Sequence, residues 1–159
     1  MFKAFILLCL LTYVANSRTI YFSEEKYYEA LESTFNKKGK IHFLKDKMEI
    51  HYDGDDTLLT YSDDILITQK GTTVEKLDLT TNPSVKMFFV LFEAIYFEKM
   101  NILQSYFSMK KKGKIVEMLP HKSIANYIES VQYKKTNTRL DFLQINLSNE
   151  DRIRIEEIE

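Results

Sequence analysis

The sequence predicts an α+β fold that is mainly β, with one long antiparallel sheet curled around helices on its concave side. Apolar and polar residues alternate in short runs through most of the chain after Gly39, and this period of two is typical of half-buried strands. All four glycines fall between predicted strands. One strongly apolar helix divides the strands into two groups. Because a twisted open sheet rarely stays flat beyond ~10 strands, we expect this sheet to curl.

Residues 1–17 have the three parts of a secretory signal. A positive charge precedes an apolar run over 4–14, and small residues then permit cleavage after Ser17. The run is too short to cross a bilayer, which takes ~20 residues. Lipidation at Cys9 is rejected because bulky leucines precede that cysteine. We therefore expect a signal peptide and, over 18–159, one exported domain.

Composition narrows the function of that domain. Cleavage would remove the only cysteine, which leaves no disulfide, no thiolate nucleophile and no cysteine metal ligand. The chain has 22 basic and 23 acidic residues, and this balance does not favour nucleic acid as a partner. It also has 11 phenylalanines and 10 tyrosines. So much ring surface requires either a large core or a ligand.

The expected elements begin with a helix. Ser23 would cap it, and Tyr28, Leu31 and Phe35 would form its apolar stripe. A second, strongly apolar helix is expected over 85–97, followed by a short helical piece over 101–104. Strands are expected before and after these two helices, at 41–43, 48–52, 58–61, 65–68, 74–79, 105–109, 114–119, 128–134, 140–147 and 152–158.

Four stretches carry a resemblance to a known family. Residues 35–52 are similar to the opening strands that follow the first helix of the LolA periplasmic lipoprotein carriers. Residues 89–107 resemble the helical insertion of these carriers. Residues 114–120 resemble a recurring strand that ends in Leu-x-Pro or a variant, and residues 128–158 resemble the closing strands. The resemblance covers nearly all of the mature chain.

The resemblance implies a half-open β-barrel whose concave face is covered by helices. Such a carrier works in the periplasm as a monomer and shuttles acylated lipoproteins, or another lipid, from an inner-membrane donor transporter to an outer-membrane acceptor. In the family an arginine between the first two strands latches the helical lid. The matching position here is Lys45, which keeps the charge and loses the planar fork of donors. An aromatic residue of some members aligns with Glu49.

The chemistry of the apolar residues suits such a cargo. An acyl chain gains ~0.8 kcal/mol for each methylene that leaves water, and aromatic, methionine and aliphatic side chains provide adaptable walls with no polar group to satisfy. The same pattern is also typical of an ordinary packed core. The candidate lipid-binding residues are Ile41, Phe43, Met48, Ile50, Tyr52, Leu59, Tyr61, Met87, Phe88, Leu91, Phe92 and Ile95.

Catalytic and metal sites are not indicated. The chain has no Gly-x-Ser-x-Gly elbow and no phosphate-binding glycine loop, and His42 and His51 lack the spacing of helical metal ligands. We therefore expect no enzyme activity, no cofactor and no metal. Two alternatives to a lipoprotein carrier stay open. One is a carrier of the same fold for another lipid or glycolipid. The other is an exported sensor or scaffold domain whose core is filled by Phe88, Phe89 and Phe92.

Overall fold

The computed structural model describes residues 17–159. The expected signal peptide, including Cys9, lies outside the described residues apart from Ser17, so its cleavage stays a prediction. The described chain is mainly antiparallel β-sheet with two α-helices.

Eleven strands and two α-helices make up this part of the chain. Before the helices come β1 (Arg18–Tyr28), β2 (Ser33–Phe43), β3 (Met48–Tyr52), β4 (Thr57–Ser62), β5 (Ile65–Lys70) and β6 (Thr73–Asp78). The helices are α1 (Pro83–Tyr96) and α2 (Met100–Tyr106). After them come β7 (Phe107–Lys112), β8 (Ile115–Pro120), β9 (Ile128–Thr136), β10 (Arg139–Leu147) and β11 (Arg152–Ile158). Single turns of 3₁₀ helix lie at Glu29–Leu31 and Leu79–Thr81.

All eleven strands belong to one antiparallel sheet with the order β6-β5-β4-β3-β2-β1-β11-β10-β9-β8-β7. The first and last strands therefore pair in the middle of the sheet, from Tyr21 opposite Ile158 to Tyr27 opposite Arg152. The edge strands β6 and β7 do not pair with each other, so the sheet is open. The two helices connect these edges and cover one face. The prediction of a mainly β fold with an antiparallel sheet and two central helices is confirmed.

The sheet curls around α1. At one side Lys86 of α1 contacts Asp64, which follows β4; at the other, Lys135 of β9 donates to the carbonyl oxygen of Ile95. Strands β4 and β9 are six places apart in the sheet, which in a flat sheet is about 29 Å. Positions 86 and 95 of a helix are only about 13.5 Å apart. Both wings of the sheet therefore contact the same short helix through side chains, which is consistent with a curled sheet.

The core lies on the face that meets α1, which we call the inner face. Ile20, Ile41 and Ile50 are buried side by side on β1, β2 and β3. Next to them, Phe43 of β2 lies opposite Met48 of β3. Alternate residues of the same strands point outward, as the pleat of a strand requires.

The expected amphipathic helix over residues 23–36 is wrong, because these residues form the long β1–β2 hairpin. Tyr28, Leu31 and Phe35 have helical spacing, yet they are 37%, 64% and 51% exposed near the hairpin turn. The burial of β1 instead repeats every two residues, and strand pairing overrides the helical spacing. Ser23 caps nothing and pairs with Lys38. Where the resemblance implied a first helix before the opening strands, the described chain has a strand.

Candidate functional site

The structure brings all twelve candidate lipid-binding residues together on the inner face of β2, β3 and β4 or on α1. Eight of them are buried, namely Ile41, Phe43, Met48, Ile50, Met87, Leu91, Phe92 and Ile95. Tyr52, Leu59, Tyr61 and Phe88 are partly buried and pack against the same cluster. The twelve residues predicted from the sequence therefore form one contiguous apolar cluster, and most of its side chains are buried in the core.

Helix α1 has two unlike halves. In its first half, residues 83–90, only Met87 and Phe89 are buried. In its second half, residues 91–96, every residue except Glu93 is buried. Helix α1 is therefore more deeply buried toward its C-terminal end.

The two wings of the sheet differ in the same way. Strands β4, β5 and β6 contain no fully buried residue. The first half of α1 contacts this wing through Phe89, which stacks on Tyr61 of β4, and through Lys86, which pairs with Asp64. Strands β9 and β10 on the other wing bury three residues each. The inner face of the β4–β6 wing nevertheless carries Leu59, Tyr61 and Leu66, which pack only partly against the core. An incompletely covered apolar surface thus lies between this wing and the first half of α1.

A line of aromatic rings fills the centre of the inner face. The ring of Tyr61 stacks on Phe89 with centroids 4.6 Å apart, and Phe88 contacts both Phe89 and Phe92. Phe92 in turn stacks on Tyr96 at 6.0 Å. Burial raises the pKa of Tyr61, and the charge of Asp64 raises it further. Tyr61 therefore stays neutral, as suits an apolar contact.

A cleft of about 890 Å³ opens at one end of this apolar region. It lies between the β2–β3 turn, the β4–β5 turn and the end of α1. Its apolar walls come from Phe43, Met48, Tyr61 and Phe97, and charged side chains form its rim. Phe43, Met48 and Tyr61 also belong to the core cluster. The cleft is therefore continuous with the inner face.

Lys45, the expected lid latch, lies on the rim of this cleft in the β2–β3 turn. Its side chain is exposed, and among the ion pairs of residues 17–159 none joins Lys45 to α1. Charged contacts of α1 involve other lysines: Lys86 pairs with Asp64 at 2.6 Å, and Lys99 pairs with Glu93 of the helix itself.

The C-terminal end of α1 is anchored by residues from both ends of the domain. The hydroxyl of Tyr96 donates to Glu157 at 3.0 Å, and the guanidinium of Arg18 lies 4.9 Å from the centre of the Tyr96 ring. Arg18 also donates to Glu157 at 3.4 Å and to the carbonyl oxygen of Thr138 at 2.8 Å. Burial raises the pKa of Tyr96, and the charge of Glu157 raises it further. Sequence analysis missed this anchor, because its residues meet only through the pairing of β1 with β11.

The far end of the inner face carries a buried carboxylate. Glu24 of β1 is 2% exposed. It accepts a hydrogen bond from the Tyr52 hydroxyl at 3.2 Å and pairs with Lys26 at 3.3 Å. Burial raises the pKa of Tyr52, and the charge of Glu24 adds to it. The expected helix capped by Ser23 would place Glu24 in its first turn, where a carboxylate is exposed, so the sequence pattern does not predict its burial.

Comparisons with known proteins add no assignment: no protein-family model matches the chain, and no curated protein sequence matches it. Within residues 17–159, neither helix is long and apolar enough to cross a membrane. In the same residues no group of three or more His, Cys, Asp or Glu side chains is placed to hold a metal ion.

Proposed function

We propose that the protein is a non-catalytic periplasmic carrier that holds the acyl chains of lipoproteins between the curled sheet and α1. One observation carries the proposal. The inner face of the β4–β6 wing carries the partly buried apolar residues Leu59, Tyr61 and Leu66, and Tyr61 also lines the cleft that opens to solvent. In this view the sheet is the half-barrel of a LolA-like carrier, and α1 with α2 is its lid.

Free energies favour displacement of the first half of α1 by cargo. Exposing Met87 and Phe89 costs about 3–6 kcal/mol, at ~1.5–3 kcal/mol for each side chain, and exposing the partly buried Val85, Phe88 and Val90 adds to this cost. A palmitoyl chain has roughly 14 methylenes and gains about 11 kcal/mol when it is fully buried. Displacement of the second half would expose Leu91, Phe92 and Ile95 as well and break the Tyr96 anchor. We therefore place the acyl chains beside residues 83–90.

The rim of the cleft suits the polar part of a lipoprotein. Lys45, Lys47 and Lys99 lie there together with Asp46, Asp63, Asp64 and Glu93. Charges of both signs can bind a peptide segment that emerges next to the acylated cysteine. The proposed partners are an inner-membrane donor and an outer-membrane acceptor, and the predicted signal peptide would deliver the protein to the compartment between them.

The proposal is tested by native mass spectrometry of the purified protein with a synthetic tripalmitoylated lipopeptide. We expect a one-to-one complex. Leu66→Glu, which puts a charge on the inner face of β5, should weaken this complex by more than ten-fold. The matched control is Ile67→Glu, because the neighbouring side chain is also half-buried but points to the outer face. Absence of any complex with the wild-type protein would contradict the proposal.

A second candidate function follows from the aromatic rings. Phe89 and Phe92 are buried, and Phe88 packs against both, which is the arrangement expected of an exported sensor or scaffold domain with a filled core. Such a domain would give no lipopeptide complex, and its α1 would stay in place under all conditions. A carrier for another lipid or glycolipid would instead bind diacyl lipids in the same assay and show no preference for the lipopeptide.

A further inference from the structure

The tip of the β7–β8 hairpin carries an unbalanced positive charge. Residues 107–120 contain four lysines and one acidic residue, Glu117. The two strands join through a two-residue turn in which Gly113 has a φ of 61°, a conformation that favours glycine. All four lysines are exposed, and among the ion pairs of residues 17–159 only one involves them, between Lys112 and Glu117. The three lysines outside that pair are Lys110, Lys111 and Lys114.

This basic tip lies at the same end of the sheet as the cleft. The β2–β3 turn borders the cleft and follows Phe43, which pairs with Arg18. Arg18 in turn donates to the carbonyl oxygen of Thr138 in the β9–β10 turn. Close to that turn, Lys134 of β9 lies opposite Ile115, the first residue after the β7–β8 turn. The three turns and the mouth of the cleft therefore share one end of the sheet, which we call the cleft end.

Two exposed apolar side chains also lie at the cleft end. Phe97 follows α1 and Met100 begins α2, and each is 37% exposed. Phe97 lines the cleft and packs against Phe43 at 5.4 Å. Between them, Glu98 pairs with Lys135 of β9, and β9 is two strands from β7, which is about 10 Å. The two apolar side chains therefore lie close to the basic tip.

The two ends of the sheet differ in charge. At the end opposite the cleft, the turns at 29–32, 53–56 and 148–151 contain seven carboxylates and no lysine or arginine. At the cleft end the rim of the cleft carries both signs, and the basic tip is the strongly positive part. The acidic residues on β9 and β10 near this tip do not offset its charge, since Asp141 is paired with Lys134.

We infer that the cleft end docks on the surface of an anionic phospholipid bilayer. Lysines near such a surface are attracted to the phosphate head groups, and Phe97 and Met100 can enter the layer just below them. A nucleic acid would use the lysines and leave both apolar side chains in water. Lysines on an edge strand also discourage pairing with another chain, but Lys114 lies in the turn, beyond the edge of β7.

Docking in this orientation places the mouth of the cleft at the membrane surface. Binding to a vesicle needs no acylated cargo, so this docking surface goes beyond the proposed function and does not depend on it. Flotation with vesicles of phosphatidylglycerol, and of phosphatidylcholine for comparison, measures it directly. We expect the wild-type protein to float with phosphatidylglycerol alone. This binding should weaken at about 1 M salt, where the Debye length is about 3 Å.

The basic tip is tested by the triple variant Lys110→Gln, Lys111→Gln, Lys114→Gln. It should bind phosphatidylglycerol vesicles about a hundred-fold more weakly than the wild type, at roughly five-fold for each lysine. The matched control makes the same change of charge at the end opposite the cleft and should bind as the wild type does. It replaces three exposed lysines by Gln, namely Lys38, Lys70 and Lys122.

The orientation is tested with single tryptophans, because the chain contains none. The emission of Met100→Trp should shift to shorter wavelength on phosphatidylglycerol vesicles as the ring leaves water. Leu31→Trp is the matched control, since Leu31 is 64% exposed at the β1–β2 turn of the opposite end. Its emission should stay unchanged.

Four results would overturn the inference. They are equal vesicle binding by the two triple variants, a shift for Leu31→Trp in place of Met100→Trp, wild-type binding to polyglutamate and to no vesicle, and no binding at all. The third would assign the basic tip to an acidic protein partner. A lysine variant that binds vesicles like the wild type and aggregates would overturn it as well, and would assign these lysines to protection of the β7 edge. The lipopeptide complex is measured without vesicles, so the carrier function stands or falls separately.

Discussion

The two halves of α1 belong to one helix and have different surroundings. Residues 91–96 lie in the core, and their end is anchored by Tyr96, Glu157 and Arg18. Residues 83–90 rest on a wing without a fully buried residue, and their charged contact is one ion pair at Lys86. Regions with few buried contacts open at lower free-energy cost than the core does. We infer that the second half belongs to the permanent core and the first half is a movable cover.

The largest expected difference comes from truncating one phenylalanine in each half. Phe92→Ala should lower the free energy of unfolding by about 3–5 kcal/mol, since Phe92 is fully buried and leaves a cavity. Phe88→Ala should cost less than half as much because Phe88 is only partly buried. Urea unfolding measures both. Equal losses would mean that the two halves are packed alike.

The anchor gives the next largest effect. Tyr96→Phe removes the hydroxyl that donates to Glu157, and Glu157 keeps contacts with Arg18 and with the amide of Leu140. We expect a loss of about 0.5–1.5 kcal/mol in the free energy of unfolding. The control is Tyr61→Phe, which loses a hydroxyl of the looser half near Asp64. If Tyr61→Phe lowers the free energy of unfolding more than Tyr96→Phe does, the role of Tyr96 as an anchor is contradicted.

High pH should weaken the anchored half in a predictable direction. The pKa of Tyr96 is raised by burial and by Glu157, so the folded protein keeps this proton while an unfolded chain loses it near pH 10. The unfolded state then binds fewer protons than the folded state, and stability falls as pH rises above about 10. Unfolding curves from pH 8 to 11 should show a smaller loss for Tyr96→Phe than for the wild type. If the free energy of unfolding falls equally with pH in the wild type and in Tyr96→Phe, Tyr96 does not contribute to the loss of stability at high pH.

The smallest effect on stability is expected at Lys86. Asp64 raises the pKa of Lys86 through a hydrogen bond, so the pair contributes below pH ~10.5 and its contribution is lost as pH rises through the raised value. Because both side chains are partly exposed, Lys86→Met should cost no more than about 1 kcal/mol. Hydrogen exchange over residues 83–90 should nevertheless become faster. Unchanged exchange there would show that this ion pair does not hold the cover.

Patterns within single segments could be predicted from the sequence. The period of two over Met48–Tyr52 and the continuous apolar run of α1 gave the right elements. The β1–β2 hairpin was missed because Tyr28, Leu31 and Phe35 have helical spacing by coincidence. In the structure Leu31 lies in the 3₁₀ turn, and Tyr28 and Phe35 lie on two strands that pair with each other.

The anchor and the burial of Glu24 depend on contacts that local patterns do not contain. Arg18 and Glu157 are 139 positions apart, and they meet because β1 pairs with β11. Glu24 reads as a surface carboxylate in the sequence, and its burial depends on Tyr52 of β3. Strand order, which no short segment encodes, decides both sites.

The most direct test of a movable cover is hydrogen exchange along α1 with and without a tripalmitoylated lipopeptide. We predict that in the free protein the amides of residues 87–90, whose helical bonds lie within the first half, exchange faster than those of residues 91–96. Binding of the lipopeptide should change the exchange rates of the amides of residues 87–90. The amides of residues 91–96 should exchange as slowly as they do in the free protein. Slow exchange along the whole helix, unaffected by a lipopeptide at saturating concentration, would contradict the account.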